Sequence, residues 1–149
     1  SEIEQTERSE EKEEEEHRLI VSGARAMVVE DNMTNLMVAE RLLTRMGFEV
    51  STANSGGSAV SLAKVMHFDI LFIDYMMTGM NGIDTLRAIR KMDSGWTAGV
   101  PCLVLTADAH EGAKQMLINA GFDDYLAKPI DMGEMEYMVR KYLPGELLI

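Results

Sequence analysis

The stretch "FDILFIDYMM", residues 68–77, decides the fold. Ile70, Leu71, Phe72 and Ile73 form an unbroken apolar run, the pattern of a strand buried on both faces. Strands of that kind belong to parallel sheets covered by helices on each side, because only there do both faces leave water. The run closes on Asp74, and a carboxylate removed from water is expensive unless something pairs with it. The same ten residues thus imply an architecture and ask what an acid is doing at the end of a buried strand.

Outward from this stretch, apolar runs alternate with helix-period segments from residue 24 onward. The first run is Ala26–Val29. A helical stretch follows with Leu36, Ala39, Leu43 and Met46 on one face and Gly47 placed as its C-terminal cap. "FEVSTA" reads as a short strand and "GGSAVSLAKVMH" as the second helix. "DILFID" precedes a helix carrying Ile83, Leu86 and Ile89, and the loop "KMDSGWTAGVP" leads into the strand "CLVLT". A fourth helix is expected to present Ala113, Met116, Leu117 and Ala120 and to end at Gly121; "DYLAK" is the fifth strand. The last helix opens with Asp131 and Glu134 in capping-box spacing and is expected to bury Met135, Met138, Val139 and Tyr142. Five strands alternating with five helices predict a doubly wound parallel sheet, whose functional groups sit beyond the carboxyl ends of the strands. Most of the thirteen Met residues fall at expected core-facing helical positions, so packing is their expected job.

Bulk properties narrow the function. The 149 residues suit one domain with a single sizeable core. The first sixteen residues hold nine Glu against one Lys and one Arg, and apart from Ile3 they have nothing to bury. Residues 1–23 therefore read as an acidic linker or flexible tail, and 144–149 as a C-terminal tail. Opening on such a stretch without Met reads as a piece of a longer protein. A net charge of −11 argues against direct nucleic-acid binding, which needs a clustered basic face. No apolar run is long enough to span a bilayer and no signal peptide is visible. The single cysteine, Cys102, reads as a small buried hydrophobe in a reducing, cytoplasmic setting.

The other strand ends answer the question about Asp74. The first strand runs into Glu30–Asp31, the fourth into Thr106, and the fifth into Lys128–Pro129. Each feature alone is ordinary: acids cap helices, a Thr closes turns, a Lys is solvated. Along one edge they would gather three carboxylates, a hydroxyl and an ammonium. Clustered carboxylates raise one another's pKa, and a small oxygen-seeking divalent cation relieves that repulsion. One acid, with Asp74 favoured as the single acid of the most enclosed strand, can then serve as nucleophile towards phosphorus. Lys128 would neutralise phosphoryl oxygens and Thr106 would donate to one of them.

"MVVEDN", "ILFIDYMM", "GMNG", "LVLTADA" and "DDYLAKPI", in this order and spacing, resemble the receiver domain of two-component response regulators over residues 24–143. The resemblance implies a flavodoxin-like sheet of order 2-1-3-4-5, with Asp74 accepting a phosphoryl group from a histidine kinase or a phosphotransfer histidine. It implies Mg²⁺, or Mn²⁺, held by Glu30, Asp31, Asp74 and the backbone carbonyl of Met76, with Lys128 binding the phosphoryl group. Thr106 and Tyr125 match the family's switch pair, and Lys128–Pro129 is a candidate cis peptide. "VVEDNMTNLMVAERLL" with "AGFDDYLAKPI" is most similar to receivers fused to hybrid sensor histidine kinases, whose membrane-anchored parent would keep this domain on the cytoplasmic side. The readout would use the face of the fourth helix and fifth strand, around His110–Ala120 and Tyr125, and any homodimer the face of the fourth helix, fifth strand and fifth helix.

This sequence departs from the family's pattern at two places. Thr78 stands where the family usually has Pro, implying a more flexible loop, and Glu30 replaces the commoner Asp. Asp108, with Glu111 three residues later, reads mainly as a helix cap, and His17, His67 and His110 as surface or cap residues. The alternatives are a stand-alone single-domain regulator, a degenerate receiver used only for docking, and a Mg²⁺-dependent aspartyl phosphohydrolase. Such a hydrolase commonly carries a second acid two residues after its nucleophile; Met76 stands there. No kinase core is present in the chain, so any enzyme activity would belong to its parent.

Overall fold

The computed structural model describes residues 2–3 and 19–149; most of the acidic leader, and His17 with it, lies outside the described residues. The elements run β1 (Arg25–Val29), α1 (Met33–Met46), β2 (Glu49–Ala53), α2 (Gly56–Val65), β3 (Ile70–Asp74), α3 (Gly82–Arg90), β4 (Cys102–Thr106), α4 (Glu111–Asn119), β5 (Asp124–Ala127) and α5 (Met132–Tyr142), then a 3₁₀ turn (Gly145–Leu147). All strand pairs are parallel, in the order β2-β1-β3-β4-β5. This is the expected flavodoxin-like sheet.

The uninterrupted apolar runs occupy its centre, where every residue of β3 and β4 is buried. Alternate side chains leave each strand on opposite faces, and two cores result. Val28, Phe72 and Leu105 meet Leu36, Leu43, Met135 and Val139 on one side. Met27, Ile73 and Val104 meet Ala59, Leu86, Ile89 and Leu117 on the other. Helix ends follow the expected chemistry. Gly47 caps α1 in the left-handed conformation, with φ 110°, and the Asp131 carboxylate accepts from the Glu134 amide at 3.0 Å. Among the described residues, no helix is long and apolar enough to cross a membrane.

Two packing expectations need correction. In α4 Leu117 is buried, while Met116 is 40% exposed and Ala113 and Ala120 are only partly covered. This helix covers the margin of the sheet, and Leu117 is its single buried residue. The methionines also divide: Met27, Met46, Met77 and Met135 are buried, but Met33, Met37, Met76, Met80 and Met116 are exposed. Met33 and Met37 lie on α1 away from its Leu36–Leu43 stripe, and Met76 and Met80 belong to the loop after β3.

At the amino edge of the sheet, the chain before β1 and after α5 closes into one small assembly. The amides of Ile20 and Val21 donate to the Met46 carbonyl at 2.9 and 3.0 Å, satisfying the C-terminus of α1. Ser22 N donates to Leu147 O, Ile149 N donates to Ile20 O, and Val21 bridges Leu148 antiparallel. Gly47 is needed for this approach as well as for its φ, since a Cβ there would fall 2.3 Å from the Val21 carbonyl oxygen. Nearby, the Arg90 guanidinium donates to the carbonyls of Thr97, Ala98 and Val100 and to the Asp123 carboxylate. It pins the 91–101 loop beneath β4. Trp96 in that loop packs on His67, ring centroids 5.7 Å apart, and edge-on against Phe68.

Candidate functional site

Register places the site. Val29 pairs with Ile73, Asp74 with Leu105, and Thr106 with Ala127, so the next residues of β1 and β5 bring Glu30 and Lys128 to the edge that Asp74 and Thr106 occupy. Glu30, Asp74 and Thr106 are only 1%, 2% and 3% exposed. Asp31 is exposed at the rim.

Two buried carboxylates share one cation. Lys128 Nζ lies 2.8 Å from Asp74 Oδ1 and 2.8 Å from Glu30 Oε2. At Oε2 the ammonium is close but not aligned for a hydrogen bond, and this buried oxygen has no hydrogen-bond partner. The other Glu30 oxygen accepts from the Asn32 amide at 3.1 Å. Burial, followed by repulsion from Glu30, outweighs Lys128 and pushes the Asp74 carboxyl up to about 6. Burial opposes the Lys128 charge, yet the two carboxylates beside it, Asp74 and Glu30, prevail and raise its pKa.

Glu30, Asp31 and Asp74 each offer an oxygen, all within 4.8 Å of one another. Octahedral Mg²⁺ with bonds near 2.1 Å sets its ligands about 3–4.2 Å apart, so small side-chain adjustments suffice. The donor set is all oxygen and carries an excess of negative charge over Lys128. Glu30 Oε2, without a hydrogen-bond partner, lies beside the same Lys128 ammonium that meets Asp74. These residues therefore fit a small hard divalent cation.

The loop after β3 is tied to this cluster. The Thr78 amide donates to Asp31 Oδ2 at 3.0 Å, drawing the segment that contains Met76 towards the rim. Behind Asp74, Gly82 opens α3 with its amide on the Tyr75 carbonyl at 2.9 Å. A Cβ on Gly82 would come within 2.5 Å of the Asp74 carbonyl oxygen. The "GMNG" stretch signals that turn, but the approach it permits is visible only in three dimensions.

The structure brings Glu30, Asp31, Asp74 and Lys128 together. Thr106 reaches the same edge, but its hydroxyl donates to the Asp108 carbonyl at 3.0 Å and accepts from the Asp108 amide at 3.1 Å. Tyr125 stands two residues before Ala127 on β5, half-buried, with the Lys114 ammonium 4.5 Å from its ring centroid. Asp108 is not the helix cap that its spacing implies. His110 is the N-cap of α4, and the Asp108 carboxylate instead accepts the His110 amide and meets its Nδ1 at 2.5 Å. That histidine contact holds the Asp108 carboxyl below its ordinary range. Burial, partly opposed by Arg90 and aided by Asp123, pushes the Cys102 thiol up to about 12, as suits an inert core residue. Lys128–Pro129 is cis.

Residues 26–140 match the family model of the response regulator receiver domain. Over 119 residues the chain is 37% identical to the signal transduction histidine-protein kinase BarA of Escherichia coli (strain K12); the match covers 80% of this chain and 13% of that protein. The receiver domain of the sensor histidine kinase PA1611 from Pseudomonas aeruginosa PAO1, solved with magnesium in its active-site cleft, superposes with a TM-score of 0.73 at 31% identity. That match covers 80% of this chain and 97% of the other. The chemotaxis protein CheY4 of Vibrio cholerae gives a TM-score of 0.75 at 26% identity, covering 80% and 98%.

Proposed function

The chain belongs to the response regulator receiver family, and on that footing we propose that Asp74 is its phosphoacceptor, working with Mg²⁺ in a histidine-to-aspartate phosphorelay. The observation that carries the assignment is the unbalanced pocket: two buried carboxylates, one ammonium, and a Glu30 oxygen without a hydrogen-bond partner. In the transfer, the P–N bond of a donor phosphohistidine breaks as a P–O bond to an Asp74 oxygen forms, leaving an acyl phosphate and a neutral imidazole after proton uptake. A bound divalent cation, Mg²⁺ or Mn²⁺, supplies charge neutralisation at the phosphoryl oxygens. Glu30, Asp31, Asp74 and the Met76 carbonyl would hold it.

Lys128, already 2.8 Å from Asp74, is placed to pair with the transferred group once the Asp74 oxygen is phosphorylated. Thr106 must exchange its bond to the Asp108 carbonyl for one to the phosphoryl group, and Tyr125 is the aromatic partner of that switch. The readout is the α4–β5–α5 face, where Lys114, Tyr125, Asp131, Tyr137 and Met138 line a groove of about 510 Å³; a homodimer would use the same face.

The chain spans about an eighth of the length of BarA, a histidine kinase. The proposed context is accordingly the cytoplasmic receiver of a hybrid sensor histidine kinase, with the receiver at 24–143 and the segments around Val21 and Leu148, read from sequence as linker and tail, packed together against its amino edge. A histidine kinase or phosphotransfer protein would be its partner. Incubation with acetyl phosphate and Mg²⁺ tests the assignment. The parent chain should gain one phosphoryl group, mapped to Asp74, and Asp74→Asn should gain none. Equal labelling of the two proteins would overturn it.

A further inference from the structure

The three acids of the pocket are not held alike. Lys128 reaches Glu30 and Asp74, both buried. Asp31 is exposed, and what fixes its carboxylate is the main-chain N–H of Thr78, 47 residues away in sequence. An exposed aspartate otherwise samples several rotamers, and only some of them aim an oxygen at the cluster. One Asp31 oxygen is held by the amide and the other is left open. The same bond pulls the 75–78 loop, with Met76, against the β1–α1 turn. A proline at this position would have no N–H to offer. Thr78 therefore adds a tether, where its sequence reads simply as a looser loop.

We propose that Thr78 is a positioning residue for the cation: its backbone amide orients Asp31 and holds the Met76 loop over the pocket. This deepens the Mg²⁺ reading above and rests on it. The relevant group belongs to the main chain, so the threonine hydroxyl is incidental. That sets a sharp condition, because Thr78→Ala keeps the donor and Thr78→Pro deletes it. Partners one shell out from a metal usually change affinity by about 10–100-fold, and exposure of this one places it at or below the low end.

Mg²⁺ affinity, read from amide resonances around residues 30 and 74 in ¹⁵N-labelled protein, provides the test. Thr78→Pro should weaken binding about three- to tenfold and Thr78→Ala less than twofold. Asp31→Asn should weaken it as well, and adding Thr78→Pro to Asp31→Asn should cost little more, since the two changes break one link. A direct structural readout needs no metal: Asp31→Asn should move the Thr78 amide resonance. The inference falls if Thr78→Pro binds like the parent, if Thr78→Ala weakens binding equally, or if the double variant is additive. A parent chain with no saturable Mg²⁺ binding would take down the cation assignment itself, and this inference with it.

Discussion

The two edges of the sheet each place a cation among oxygens, to opposite effect. At the amino edge, Arg90 meets three carbonyls and the Asp123 carboxylate with a planar donor set made for several acceptors. Neighbouring main-chain groups are satisfied by the Ile20–Ser22 segment and the tail. At the carboxyl edge, Lys128 faces two buried carboxylates and leaves one oxygen without a hydrogen bond. One edge is electrostatically settled and holds the fold. The other is left acidic, and that imbalance is what recruits a cation and a phosphoryl group. Stability and function are thus separated along the strand direction.

Breaking the settled edge should have the larger effect. Arg90→Ala strands three carbonyls and should lower unfolding free energy in urea by about 2–4 kcal/mol, with little change in the Mg²⁺ affinity of the folded protein. Lys128→Ala should cost about 1–3 kcal/mol near neutral pH, and Mg²⁺ or acid should restore much of it, because either quenches the carboxylate charge. If Arg90→Ala were equally rescued by Mg²⁺, the division between the edges would fail.

Asp74→Asn sharpens the contrast, because it should stabilise. The Asp74 carboxyl sits near 6 in the fold against an ordinary 3.8, so the folded state penalises the ionised form. That penalty is absent below about pH 4, grows as pH rises through the interval, and is complete above about pH 6. Urea titrations should therefore show Asp74→Asn about 1–2 kcal/mol more stable than the parent near neutral pH, and the gain should vanish in acid. A constant difference at all pH values would contradict the assigned cause. The smallest effect belongs to Glu49→Ala, which removes a solvent-exposed pair with Arg25 at 3.2 Å and should stay within about 0.5 kcal/mol.

Much of this was legible in the residues. Two-sided burial writes itself as uninterrupted apolar runs, so β1, β3 and β4 and the parallel sheet followed from "AMVV", "ILFI" and "CLVL". The strand-end acids and Lys128 followed from the rule that such sheets act at their carboxyl edge. What escaped were features without a side-chain signature. Two of them rest on a main-chain N–H from a distant segment, Thr78 donating to the Asp31 carboxylate and Ile20 to the Met46 carbonyl. Periodicity marks an apolar face on α4 but carries no information on how much of it is covered, and Met116, on that face, is exposed. The spacing of Asp108 and Glu111 allows a cap, yet the turn places His110 there.

The pairing of Val21 with Leu148 has a wider consequence. The segments around Val21 and Leu148 lie side by side, at the pole remote from Asp74. A short bridge joining Ile20 to Ile149, whose backbones are one hydrogen bond apart, should allow the chain to be reopened at a surface loop with the same architecture intact.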